Sequence, residues 1–137
     1  SWAVAAMTAH IVHEAWDPDR PAECSAKVLN AIILGRLGFH GLLMSDDLDM
    51  KALQYALNGG LAQRAMAAVE AGVDVVLQCS GVLKDMEDVV DGCGELDGIS
   101  FVRARAAEVF AKRPAEAFDA EAGWARFKQL MQGAGVA

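Results

Sequence analysis

The stretch Gly38-Phe-His-Gly-Leu-Leu-Met-Ser-Asp-Asp47 decides the fold. Its apolar run, Leu42-Leu43-Met44, is preceded by glycine and stops abruptly at Ser45-Asp46-Asp47. An apolar run without polar alternation suits a strand buried on both faces, as in parallel sheets. On its amino-terminal side, Cys24 to Leu37 reads as a helix. Val28, Leu29, Ile32, Ile33 and Leu37 recur there at intervals of three and four, and Gly38 stops the pattern.

The same grammar extends in both directions. Trp2 to Met7 is a short apolar run ending in Thr8-Ala9-His10, which favours a buried strand, and Asp17-Pro18 and Arg20-Pro21 break the loop after it. Downstream, a helical turn is followed by a helix over 60–71, with Leu61, Ala65, Ala68 and Val69 inward and Gly72 as its stop. Val73 to Cys79 reads as a third strand. Strand ends fall near positions 9, 45 and 79, so each repeat takes about 35 residues, the size of a βαβ unit. After Gly81 the chain is helical. The spacing predicts helices over 82–90, over 99–112 with Ser100 as N-cap and Phe101, Val102, Ala106, Val109 and Phe110 inward, and over 120–132 with Trp124, Phe127 and Met131 on one packing stripe. Pro114 ends the second of these, and 133–137 reads as a frayed tail. The acidic series from Asp85 to Asp97 reads as a solvated helix and loop.

Three βα units cannot close a sheet. A (β/α)₈ barrel takes about 200–250 residues, whereas this chain has 137. An open three-stranded sheet leaves apolar edges that template pairing, so the sequence reads as the C-terminal part of something larger. If it stands alone, those edges are expected to be satisfied by pairing between copies, a swapped dimer or a remodelled sheet.

Composition narrows the function. With 54% hydrophobic and 23% charged residues the chain is not globally disordered. A net charge of −7 argues against nucleic acid as a partner, because phosphate backbones call for a basic face. No apolar stretch approaches the roughly 20 residues that span a bilayer, and the opening residues lack the basic start of a signal peptide. Cys24, Cys79 and Cys93 have neither zinc nor disulfide-framework spacing and read as buried free thiols. A cytoplasmic location is the resulting expectation.

Ligands meet the carboxyl ends of strands in barrels and open α/β sheets. His10, Asp46, Asp47 and Gln78 fall there. A carboxylate just after a wholly apolar strand sits half desolvated at a pocket rim, which suits a nucleophile or metal ligand. It equally suits a cap for the turn after the strand. His10 is either a packing residue or a holder of a sugar hydroxyl. His13 and His40 read as solvated loop residues. Ser45 lacks the Gly-x-Ser-x-Gly elbow of a serine hydrolase.

The segment from Leu37 to Met50, Leu-Gly-Phe-His-Gly-Leu-Leu-Met-Ser-Asp-Asp-Leu-Asp-Met, resembles the nucleophile segment of glycoside hydrolase family 3, and more narrowly its bacterial cytoplasmic β-N-acetylhexosaminidases. Met7-Thr-Ala-His10 with Asp17-Pro18 and Arg20-Pro21-Ala22 agrees upstream, and Ala71-Gly-Val-Asp-Val-Val-Leu-Gln-Cys79 downstream, although the family has Pro where this chain has Thr8. The resemblance implies an α/β fold in which this chain supplies about the last three βα units and the C-terminal helices of a (β/α)₈ barrel, with 1–137 a segment of one glycosidase domain. It implies retaining hydrolysis of terminal β-linked N-acetylglucosamine from muropeptides in peptidoglycan recycling. Asp46 would form the covalent glycosyl-enzyme, Asp47 would orient the turn or a neighbouring basic group in the substrate site, and His10 would line the sugar pocket. No metal or cofactor is implied. The family's acid/base His–Asp pair and its other sugar-gripping residues precede His10, so these 137 residues alone are expected to be inactive.

Two other readings compete. A metal-dependent phosphohydrolase would use Asp47 and Asp49, but Lys51 stands where that motif expects Thr or Val. It also needs a lysine and further acids at later strand ends, and Gln78-Cys79-Ser80 supplies neither. A non-catalytic module is the third reading, opposed by the intact Ser45-Asp46-Asp47-Leu48-x-Met50.

Overall fold

The computed structural model describes residues 3–114 and 117–133. Ser1, Trp2 of the opening apolar run, and most of the expected frayed tail, 134–137, lie outside the described residues.

Strands β1 (Ala5–Met7), β2 (Leu42–Asp47) and β3 (Val75–Leu77) form one parallel sheet in the order β1-β2-β3. Ala5, Ala6 and Met7 pair with Leu42, Leu43 and Met44. On the other side Met44 pairs with Val75 and Asp47 with Leu77, with an irregularity between them. The α/β reading therefore stands. Side chains alternate along β2. Leu43 and Ser45 are buried, whereas Leu42, Met44 and Asp46 are only half-buried, so the expectation of a strand buried on both faces is corrected to one closed face. Burying a side chain such as Leu43 stabilises by about 1.5–3 kcal/mol.

Gly41 is fixed by the neighbouring strand. A Cβ there would sit 2.5 Å from the Val4 carbonyl oxygen, which accepts the Leu42 N–H at 2.9 Å. At the other end of β1, Thr8 donates both its amide (2.8 Å) and its hydroxyl (3.0 Å) to the Met44 carbonyl. A proline could supply neither bond, which gives the family departure at this position a local compensation.

The helix expected from Cys24 to Leu37 is split by Ser25. A 3₁₀ turn, Ala22–Cys24, precedes it, and a π-helix, Lys27–Arg36, follows. Ser25 is extended, its Oγ accepts the Val28 N–H at 3.1 Å, and it donates to buried Asp17 at 2.6 Å. The π-helix closes through the Leu37 N–H on the Ile32 carbonyl at 2.8 Å. Its wider turn buries Val28 and Leu29 but swings Leu37, expected inward, to 68% exposure.

Helices α1 (Lys51–Ala56) and α2 (Leu61–Ala71) connect β2 to β3. Ala65, Ala68 and Ala71 of α2 join Leu29, Leu43, Leu48, Leu53 and Val73 in the core. Gly72 ends α2 at φ 119°, a left-handed position open to glycine. Strand β3 is shorter than predicted at both ends: Val73 and Asp74 lie in the turn before it, and Gln78 and Cys79 follow it. Buried Asp74 accepts the Leu43 N–H at 2.8 Å, and its own amide donates to the Leu43 carbonyl at 2.9 Å.

Helix α3 (Leu83–Cys93) packs on α2. Helices α4 (Gly98–Ala111) and α5 (Ala120–Gly133) follow. Asp97, not Ser100, holds the N-cap position of α4. Ser100 instead donates to Asp74 at 2.6 Å, beside an Arg103–Asp74 ion pair at 3.1 Å that ties α4 to the sheet. Phe101, Val102, Val109 and Phe110, expected inward, are about half exposed, because among the described residues nothing covers that face. Trp124 and Phe127 stack on each other with centroids 5.2 Å apart, yet both are exposed, so the expected packing stripe is not buried here. Cys24 is buried as expected, but Cys79, beyond the end of β3, is exposed. Among the described residues no helix is long and apolar enough to cross a membrane.

Candidate active site

The carboxyl end of β2 is where the predicted site residues converge. The strand carries Asp46 and Asp47 out of the core while Leu48, wholly buried, pins the chain just after them. Ser45 is also wholly buried. Its hydroxyl donates to the Asp46 carbonyl at 2.7 Å and accepts the Leu77 N–H at 2.9 Å, filling the gap where the β2–β3 ladder is irregular. Ser45 is thus a clamp on the strand end.

Asp46 is half-buried, and its Oδ1 accepts the Asp47 N–H at 2.8 Å. That bond fixes one carboxylate oxygen. The Asp47 carboxylate accepts the amides of Asp49 and Cys79, both at 3.2 Å, so Asp47 holds the turn and latches β2 to the end of β3. These contacts make Asp47 the residue that holds the turn, beside a half-buried Asp46. Gln78, another strand-end candidate, points its amide at Ser80 (2.9 Å) and is not brought into the cluster.

His10 is drawn in from the end of β1. Its side chain is 4% exposed. Nε2 donates to the Asp47 carbonyl at 2.8 Å, and Nδ1 faces the Glu23 carboxyl. Both ring nitrogens are therefore engaged by the protein, and any contribution of His10 to a sugar site runs through the turn that it holds. His13 stacks loosely near Trp16, at 5.2 Å, and His40 is exposed.

Glu23 is the site residue that sequence reasoning missed. It lies in the 3₁₀ turn Ala22–Cys24, is wholly buried, and meets His10 with Oε1. Burial pushes its carboxyl above the usual range, opposed by the charge and hydrogen bond of His10 and by the nearby Asp46 amide, and reinforced by the Asp46 carboxylate. The available signal was an acid between Ala22 and Cys24 with no polar neighbour on the preceding side. Cys79 also borders the site. Partial desolvation and the negative charges of Asp47 and Asp46 push its thiol up, which disfavours the thiolate.

Behind the turn, buried Arg64 of α2 donates to the Leu48 carbonyl at 3.1 Å and the Gly59 carbonyl at 3.3 Å, bracing the loop from the core side. Asp49, the second acid of the phosphohydrolase reading, receives Gln54 through its backbone carbonyl at 3.0 Å and its carboxylate at 3.4 Å. The Asp47 carboxylate is committed to two amides. Among the described residues no group of three or more His, Cys, Asp or Glu is placed to hold a metal ion. The contacts of Asp47 and Asp49 thus give the phosphohydrolase reading no support.

Comparison with known proteins adds an independent line. A family model described as the glycosyl hydrolase family 3 N-terminal domain matches residues 2–106. A beta-hexosaminidase of Alkalilimnicola ehrlichii is 46% identical over 74 residues, covering 54% of this chain and 20% of that protein. One from Photobacterium profundum is 36% identical over 110 residues, covering 80% and 30%. Among solved structures, a beta-N-acetylhexosaminidase from Beutenbergia cavernae superposes with a TM-score of 0.63 at 29% identity, covering 80% of this chain and 33% of that one. A family 3 beta-N-acetylglucosaminidase from a Paenibacillus species gives 0.67 at 26% identity, covering 85% and 24%. The chain thus spans between a fifth and a third of the length of these proteins.

Proposed function

Because the chain belongs to glycosyl hydrolase family 3, we propose that it is the nucleophile-bearing part of a retaining β-N-acetylhexosaminidase. The observation that carries this reading is the Asp46 carboxylate, half-buried at the carboxyl end of a parallel strand with one oxygen fixed by the Asp47 N–H at 2.8 Å. In this reading the other oxygen attacks the anomeric carbon of a terminal β-linked N-acetylglucosamine. The bond to the leaving group breaks as a covalent glycosyl–Asp46 ester forms. The leaving oxygen takes a proton from an acid outside this chain. That group then deprotonates water, which attacks the same carbon and releases Asp46. A carboxylate suits both steps because it stabilises the oxocarbenium-like charge and leaves again on hydrolysis.

The three parallel strands in sequential order, with all site residues at one sheet end, support placement as about the last three βα units of a (β/α)₈ barrel. The one-sided burial of β2 and the half-exposed apolar faces of α4 and α5 leave surface for the remaining barrel to cover. Muropeptides as substrates, a place in peptidoglycan recycling and a cytoplasmic setting belong to the same proposal, resting on the sequence resemblance. The test uses the complete polypeptide carrying this sequence. It should release the aryl group from an aryl β-N-acetylglucosaminide, and a fluorinated substrate analogue should add one sugar mass to the peptide containing Asp46. Absence of both sinks the reading.

A further inference from the structure

Glu23 has no place in the proposed reaction, yet it is a fully buried carboxyl against the candidate site. Its Oε1 engages His10, and its Oε2 has no hydrogen-bond partner of normal geometry among the described residues. Keeping a carboxyl buried with one oxygen short of a full hydrogen bond is costly, so its retention calls for a return elsewhere.

The contacts show what that return is. A carbonyl oxygen can only accept, so the hydrogen on His10 Nε2 is fixed by the Asp47 carbonyl. The Glu23 carboxyl at Nδ1 then sets the plane of the ring, as a carboxylate behind a histidine does in catalytic and metal sites. The Asp46–Asp47 turn is thereby held from several sides. Its contacts are Ser45 Oγ on the Asp46 carbonyl, the Asp47 amide on Asp46 Oδ1, the Asp49 and Cys79 amides on Asp47 Oδ1, the Met50 amide on the Asp47 carbonyl, and His10 on that same carbonyl. Only the last reaches across from β1, and Glu23 is what orients it.

We propose that Glu23 is a positioning residue: through the His10 imidazole it fixes the Asp47 carbonyl and so aims the Asp46 carboxylate at the reacting carbon. The inference rests on Asp46 being the glycosidase nucleophile. A misplacement of about 1 Å can cost about 100-fold in rate, so a residue two contacts removed from the chemistry can govern kcat.

The experiment compares Glu23→Gln, Glu23→Leu and Asp46→Ala in the complete polypeptide, with an aryl β-N-acetylglucosaminide as substrate. Gln matches the shape of Glu and donates an amide hydrogen to Nδ1, so it should keep kcat within about threefold of the parent. Leu cannot orient the ring, and kcat should fall about 10- to 100-fold with KM within about twofold. A purely structural role would lower the amount of folded protein and leave kcat per folded molecule unchanged. Equal kcat for the parent and the Leu variant overturns the positioning role. So does an equal loss in both variants while both remain folded by circular dichroism. If Leu fails to fold, a Gln variant with kcat reduced tenfold or more overturns it, and one within threefold supports it. An inactive parent, or an Asp46→Ala variant as active as the parent, would instead overturn the glycosidase reading.

Discussion

The backbone amide of Cys79 donates to the carboxylate of Asp47 at 3.2 Å, joining the residue after the proposed nucleophile to the end of the next strand. The same oxygen accepts the Asp49 amide at the same distance. One side chain thus closes the turn after β2 and sets its position against β3.

Replacing Asp47 separates its charge from its acceptor role. Asn keeps an oxygen for both amides, whereas Ala orphans them at a cost of about 1–3 kcal/mol. Denaturant unfolding of the complete protein should place Asp47→Ala well below Asp47→Asn. Equal midpoints for the two variants would show that the amide contacts carry no stability.

Removing the proposed nucleophile should leave the fold intact and stop the chemistry. Asp46→Ala is expected to lower aryl-glycoside turnover by at least about a thousandfold. Its circular dichroism should match the parent, since the residue is half-buried and, among the described residues, its side chain accepts a hydrogen bond from the neighbouring Asp47 amide alone. Residual activity above a tenth of the parent would contradict the assignment.

Asp74 presents the opposite case, a stability residue away from the candidate site. Asp74→Ala strands the Leu43 amide, Ser100 and Arg103 together. Breaking a buried pair of this kind costs about 3–5 kcal/mol. A large drop in unfolding midpoint is expected, with kcat per folded molecule preserved.

The raised Glu23 carboxyl has a defined sign in stability. Its ordinary value is 4.5, and burial lifts it in the folded chain, with His10 opposing. The folded state therefore holds its proton more tightly than the unfolded state. The stability it contributes is present below pH 4.5 and declines as pH rises through the elevated folded value. Glu23→Gln should flatten that decline in urea midpoints measured from pH 4 upward. Parallel curves for parent and variant would refute it.

Thiol chemistry should distinguish the cysteines. Cys24 is buried and its thiol is pushed up to about 12 by burial and by the Glu23 charge, so it should stay unlabelled by iodoacetamide in the native protein. Exposed Cys79 should be modified, slowly because partial desolvation and the negative charges of Asp47 and Asp46 raise its thiol too. Peptide mass mapping reads both. Modification of Cys24 ahead of Cys79 would reverse the assignment.

Much of the fold was legible because its signals are local. The apolar run into Ser45-Asp46-Asp47 gave β2, and the three- and four-residue spacing with Gly72 gave α2. The helix before β2 was legible as a helix but not as a π-helix broken at Ser25, because Ser25 answers to Asp17, eight residues away. Strand β3 was overread because Val73 and Asp74 look like strand residues, while the Asp74 carboxylate is spent on the Leu43 amide. The stripes of α4 and α5 showed which residues are apolar, but not what would cover them.

By itself the sequence determined that a βα repeat carries a pair of acids at the end of an apolar strand, because hydrophobic periodicity and chain punctuation act over a few residues. Only the tertiary structure decided that Glu23 and His10 converge on the Asp47 carbonyl, that Ser45 bridges an irregular ladder, and that Asp74 anchors α4. These contacts join residues 13 to 37 positions apart. Their partners are chosen by burial, where each polar group must find a mate, and no local pattern in the chain records that choice.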